Sequence, residues 1–95
     1  MSAAVPQPIV SLRLYIAGEA PSSRRALQNM QDICSELGRA SCQLEIVDVL
    51  AEPIRALKDR VLVTPTLVRL SPAPVVKIVA DLSHRRKLVD IIGHS

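Results

Sequence analysis

The sequence predicts an α/β domain in which a four-stranded mixed sheet carries helices on both faces, in the order β-α-β-α-β-β-α. Three observations predict it. An alternating apolar strand pattern is followed by a helical stripe and a second strand pattern, with short links. A strand, a long helix and a strand so joined imply a right-handed parallel crossover. Two further strand patterns, joined by Ser71-Pro72-Ala73-Pro74, precede a last helical pattern. A ferredoxin-like order, the nearest competitor, ends in a strand, whereas residues 82–92 read as a helix.

Residues 1–8 are small and Pro-containing and are expected to form a loose tail; residues 9–95 make one domain. The first strand covers 9–16. Val10, Leu12, Leu14 and Ile16 line one face, and Ser11, Arg13 and Tyr15 the other. Pro21 suits the first turn of a helix, where Ser22 or Ser23 is expected to satisfy free amides. That helix runs to about residue 37, because Leu27, Met30, Ile33, Cys34 and Leu37 share one stripe. Gly38 stands where a C-terminal cap belongs. Residues 42–50 form the second strand, with Cys42, Leu44 and Ile46 on one face. Pro53 opens a short helix to about residue 58. Residues 66–70 and 75–79 are strands, and the prolines between them mark a stiff turn. Asp81 or Ser83 caps the last helix, in which Leu88, Ile91 and Ile92 share a face.

Val63-Thr64-Pro65-Thr66-Leu67 is a Pro turn that opens a strand. This punctuation makes the fold thioredoxin-like, and in that class a Pro here is usually cis. The facing loop, Gly18-Glu19-Ala20-Pro21-Ser22-Ser23-Arg24, holds no thiol where a redox member carries Cys-x-x-Cys. Without a thiolate it has no nucleophile for disulfide exchange. A thioredoxin-class redox enzyme is therefore a remote alternative, and the scaffold reads as one kept for binding.

Of the 95 residues, 48% are hydrophobic and Tyr15 is the single aromatic, so the core is aliphatic. The net charge of +3 allows an acidic partner surface without requiring nucleic acid. Arg85-Arg86-Lys87 is a short basic cluster, but no stacking aromatics or groove-reading motif accompany it. It reads as a solvated helix face. Cys34 and Cys42 have neither metal-ligand spacing nor a secreted disulfide pattern, and are expected to be free thiols in the core. No basic-apolar leader and no run long enough for a membrane span occur, so a cytoplasmic protein is expected. His84 and His94 are expected on the surface, and Ser22, Ser23, Arg24 and Arg25 as a cap and a solvated face. No catalytic, cofactor or metal residues are assigned.

One segment is suited to a partner. Residues 48–58 leave the second strand and enter a short helix of mixed charge, a common kind of binding surface.

Several short motifs in order resemble the KaiB family. They are Leu14-Tyr15-Ile16-Ala17-Gly18, then Pro21, Ser23, Ala26-Leu27 and Asn29. Ile46-Val47-Asp48-Val49-Leu50 with Pro53 follows, then Thr64-Pro65-Thr66-Leu67 and Ala80-Asp81-Leu82-Ser83. The resemblance covers roughly residues 9–92. It implies a non-enzymatic clock or clock-like regulator that binds a KaiC-like hexameric ATPase and autokinase. KaiA or a histidine kinase would be further partners, and a dimer or tetramer is implied as a homo-oligomer. Carried over by position, Asp48, Leu50, Glu52, Pro53, Arg55 and Lys58 form the partner-binding set. The resemblance also implies a metamorphic chain, with a second, tetrameric state in which the C-terminal half is refolded. Thr64, Pro65, Pro72, Pro74 and Asp81 are assigned to that switch, since proline isomerisation is slow. Ala80 and Ile91 stand where the family usually or often has Gly, and an interior Gly-to-other change favours helix by up to about 1 kcal/mol. The alternative reading is a thioredoxin-like sensor or adaptor module of a KaiC-reading histidine kinase system.

Overall fold

Period-two alternation and β-branched or aliphatic residues give β1, Val10–Ile16. The computed structural model describes residues 10–38 and 41–79. After β1 come α1 (Pro21–Leu37), β2 (Cys42–Asp48), α2 (Pro53–Lys58), β3 (Thr66–Ser71) and β4 (Val76–Val79). The sheet order is β2-β1-β3-β4. β1 pairs with β2 in parallel and with β3 antiparallel, and β3 pairs antiparallel with β4. This is the expected mixed, thioredoxin-like sheet. The expected last helix over 82–92, with Asp81, His84, the Arg85-Arg86-Lys87 cluster and His94, lies outside the described residues.

Two apolar clusters sit on opposite faces of the sheet. Leu12, Leu14 and Leu67 meet the buried stripe of α1, formed by Ala26, Met30, Ile33 and Cys34. Tyr15, Val47 and Val68 meet Ala56 of α2. The alternation in β1 therefore feeds two cores: Leu12 and Leu14 face α1, and the fully buried Tyr15 faces α2.

Four expectations need correcting. Neither Ser22 nor Ser23 caps α1. Ala20 is the N-cap, and Ser23 is buried instead, its Oγ accepting the Ala17 N–H at 3.0 Å. β2 ends at Asp48, two residues early, because the Asp48 carbonyl accepts the N–H groups of Ala51 and Glu52 and turns the chain. Its expected apolar face also weakens along its length: Cys42 is buried, but Ile46 is 36% exposed, because β2 is an edge strand. Finally, Cys34 and Cys42 are not free thiols but form a disulfide, with Cα atoms 5.5 Å apart. The crossover returns the chain so that the last turn of α1 lies beside the start of β2, within bridging range. Gly38 caps α1 as expected, at φ +95°, and donates its N–H to the Cys34 carbonyl.

The Thr64–Pro65 bond is cis, as expected; Ser71–Pro72 and Ala73–Pro74 are cis too. No helix among the described residues is long and apolar enough to cross a membrane.

Candidate partner-binding surface

The surface is built where the two strand-to-helix loops meet. β1 runs into Gly18 and β2 into Asp48. The Asp48 carboxylate accepts the Gly18 N–H at 3.1 Å and the Leu50 N–H at 2.9 Å. The Val49 N–H reaches the Ile16 carbonyl at 2.8 Å. Gly18 has φ +54°, and a Cβ there would stand 3.2 Å from the Leu50 side chain. A left-handed residue without a side chain lets the loops close on each other. Asp48 is therefore a loop fastener rather than an exposed contact.

Beyond this clasp, α2 is held to the sheet by Ala56 and by charges. Tyr15 rises from the β1 core, and its hydroxyl donates to the Asp59 carboxylate just past α2, lying 3.3 Å from the Arg55 carbonyl. Arg13, two residues earlier on the same face, bridges two acids: Nη1 to Asp59 at 2.9 Å and Nε to Glu45 at 2.8 Å. Arg13 and Glu45 are register partners across β1 and β2. Glu45 also takes Arg55 of α2 at 2.6 Å, and Arg55 lies 3.5 Å from Glu52. The Lys77 ammonium of β4 donates to the Asp59 carbonyl. The lattice thus joins three strands to the short helix.

The lattice shifts its own titrations. The Tyr15 hydroxyl, then the Arg13 guanidinium, holds the Asp59 carboxyl below its ordinary range, against a desolvation cost. Arg13 and then Arg55 hold Glu45 down in the same way. Burial, then the hydrogen bond to Asp59, pushes the Tyr15 hydroxyl up. Both arginines are raised, foremost by Glu45.

With Ala56 turned inward, the other face of α2 is left to solvent. Leu50 is 73% exposed, Ile54 61%, Leu57 68% and Leu62 90%. Val63 is half exposed. Of the expected set, Leu50, Glu52, Pro53 and Lys58 are exposed, as a docking surface requires. Arg55 was expected to be exposed too, but it is half-buried and committed to Glu45. Ile54, Leu57, Leu62 and Val63 were not foreseen. In a sequence, an aliphatic residue on a short helix reads as core; the signal that could have found them is that α2 carries more apolar residues than so short an element can bury. The residues assigned to a switch stand apart: Thr64 and Pro65 lead into β3, with Pro65 buried, and Pro72 and Pro74 are exposed in the β3–β4 link. Among the described residues no group of three or more His, Cys, Asp or Glu could hold a metal.

Residues 13–93 match the family profile of the KaiB domain. A circadian clock oscillator protein KaiB from Microcystis aeruginosa is 44% identical over 78 residues, covering 82% of this chain and 75% of that protein. One from Prochlorococcus marinus (strain MIT 9303) is 40% identical over 84 residues, covering 88% and 71%. Among solved structures, the N-terminal domain of Synechococcus elongatus SasA superposes with a TM-score of 0.76 at 18% identity, covering 100% of this chain and 93% of that one. Thioredoxin from Fasciola hepatica also gives 0.76 at 18% identity, covering 93% and 82%. These structural likenesses, at such low identity, speak for the thioredoxin-like fold.

Proposed function

The chain belongs to the KaiB family, and we propose that it is a cytoplasmic clock or clock-like regulator that acts by binding rather than catalysis, docking on a KaiC-like hexameric ATPase through α2 and its flanks. One observation carries the reading: Leu50, Ile54, Leu57 and Leu62 are all more than 60% exposed on and beside one short helix. Large aliphatic side chains left in water together on and beside one short helix mark a surface that a partner can cover. The charge lattice fixes the helix beneath that patch, which reduces the ordering cost of association. Glu52 and Lys58, exposed at its rim, supply steering and register.

The family premise extends this to KaiA or a histidine kinase as further partners, to a dimer or tetramer, and to a metamorphic exchange in which the C-terminal half refolds around Thr64, Pro65, Pro72, Pro74 and Asp81. Sedimentation of the free chain together with amide NMR spectra tests that exchange; a single monomeric spectrum at all concentrations counts against it.

The docking test is a calorimetric titration of the cognate ATPase with the wild-type chain and with Ile54→Glu and Leu57→Glu, using circular dichroism as the folding control. Truncating an interface anchor typically costs more than about 1 kcal/mol, so each variant should bind at least several-fold more weakly while staying folded. Charge reversal at Arg55 is a poor probe, since it also breaks the contact with Glu45. Unchanged affinity in both variants moves the interface elsewhere. Absence of binding by the wild-type chain removes the reading.

A further inference from the structure

Cys34 and Cys42 take no part in the α2 surface. Their sulfurs are bonded across a separation of eight residues, with Cα atoms 5.5 Å apart. Cys34 lies in the last turn of α1, where its carbonyl accepts the Gly38 cap. Cys42 opens β2 and makes the first register pair of the β1–β2 ladder, with Val10. The bridge therefore pins the corner at which the crossover returns to the sheet. It belongs to the α1 core, whereas α2 packs on the opposite face.

Both side chains are under a tenth exposed, yet both line an open hollow of about 550 Å³ together with Asp32, Ser35, Leu44 and Ile46. Among the described residues β2 is an outer strand, so this hollow lies along an edge of the sheet. Both cysteines therefore face the same open hollow, on the side away from α2. This step rests on the cytoplasmic placement proposed above: in a reducing compartment a disulfide is usually transient or regulatory rather than a permanent staple.

We propose that Cys34–Cys42 is a reversible redox clip, a thiol-modification site opened and closed by a dithiol partner. In the opening step a thiolate of the dithiol attacks one bridge sulfur. A mixed disulfide forms, and the other cysteine leaves as a thiolate and takes up a proton. The second thiol of the partner loses its proton and attacks the mixed disulfide, releasing the first cysteine, which is protonated in turn. The chain gains two electrons and two protons, and the dithiol becomes a disulfide. Closure is the reverse, with the oxidised partner as acceptor.

Opening the clip restores freedom to a short loop of the unfolded chain, so melting should fall by roughly 10 °C on reduction. Locally, the amides of Gly38 and of residues 41–44 should exchange faster, while those of α2 keep their rates.

The experiment poises the purified full chain in dithiothreitol of graded reduced-to-oxidised ratio. Free thiols are then trapped with N-ethylmaleimide and counted by mass spectrometry, and melting and hydrogen exchange are followed in parallel. Both thiols should appear together at one midpoint, and melting should fall on reduction and return on reoxidation. Cys34→Ala with Cys42→Ala should melt like the reduced wild type and ignore the reductant. Should that variant not fold, the exchange rates of reduced and reoxidised wild type still decide. The proposal is overturned if the chain poised in fully oxidised dithiothreitol is still alkylated at both cysteines. It is equally overturned if dithiothreitol opens the bridge only once the chain is unfolded, or if reduction leaves melting and the exchange at Gly38 unchanged.

Discussion

Tyr15 is the residue on which the α2 side of the molecule turns. Its ring fills the smaller core, and its hydroxyl donates to the Asp59 carboxylate. Tyr15→Phe keeps the ring and removes the donor. A hydrogen bond to a charged group is worth about 1.5–3 kcal/mol; because Asp59 keeps Arg13 and part of its side chain meets solvent, a loss of about 1–2 kcal/mol is expected in chemical unfolding. The same contact sets the pH response. Asp59 and Glu45 have folded-state pKa values below their ordinary ones. At acid pH the unfolded chain therefore binds protons that the folded chain refuses, so their stabilisation is complete above the ordinary carboxylate range, near pH 4, and is lost as pH falls further. Tyr15 works in the other direction. Its pKa is raised on folding, so its contribution is complete below about pH 10 and is lost as pH rises beyond that. These groups should lower the melting temperature on the acid and alkaline sides of these limits, and Tyr15→Phe should flatten the alkaline limb and weaken the acid one. An unchanged profile in the variant would remove Tyr15 from the lattice.

At the scale of elements, α2 is too short to stand by propensity, since isolated helices of this length are marginal in water. It exists because both ends are fixed. Pro53 starts it with φ already set. At the other end Arg60 adopts φ +56°, while the N–H groups of Arg60 and Val61 close back on the Leu57 and Ala56 carbonyls. This is the left-handed ending that Gly usually supplies. Arg60 is exposed and carries the backbone cost of a side chain in that region. Arg60→Gly should therefore stabilise the domain by about 0.5–1 kcal/mol, offset in part by the greater freedom of Gly in the unfolded chain. Urea unfolding measures this, and a destabilised variant would show that the Arg60 side chain makes a contribution larger than the backbone relief.

For the whole molecule, the two cores are unequal. The α1 side holds most of the large buried aliphatics, and the α2 side relies on one aromatic, two valines and an alanine together with ion pairs. Leu14 is fully buried in the larger core, at the centre of β1 between β2 and β3. Leu14→Ala should cost about 2–5 kcal/mol through lost burial and the cavity left behind. In a domain of this size that lowers melting by roughly 10 °C or more. The exposed Leu57→Glu should change stability by no more than about 0.5 kcal/mol. Thermal melts of the two variants side by side test this division, and a large loss in Leu57→Glu would mean that its side chain supports the fold rather than standing free for a partner.

The sequence by itself determined what local periodicity encodes. Alternation around Leu12 and Leu14, the stripe through Met30 and Ile33, and the punctuation at Gly38, Pro53 and Pro65 were enough for the order of strands and helices through β4 and for their bounds to within two residues. The motifs carrying the family resemblance were equally legible, and they are the basis on which residues 48–58 are proposed as the partner surface. Only the tertiary structure decided which side chains of that segment meet water. Ile54 and Leu57 look like core residues until the sheet takes Ala56 and leaves them outside. Arg55 looks like a free surface charge until β2 sets Glu45 beneath it. Arg13 and Asp59 lie 46 residues apart, and Cys34 and Cys42 are separated by a helix end and a turn. Such pairs are fixed by strand register and by the angle at which a helix returns to the sheet. Those are properties of the packed chain as a whole, so no window of sequence short enough to read as a pattern contains them.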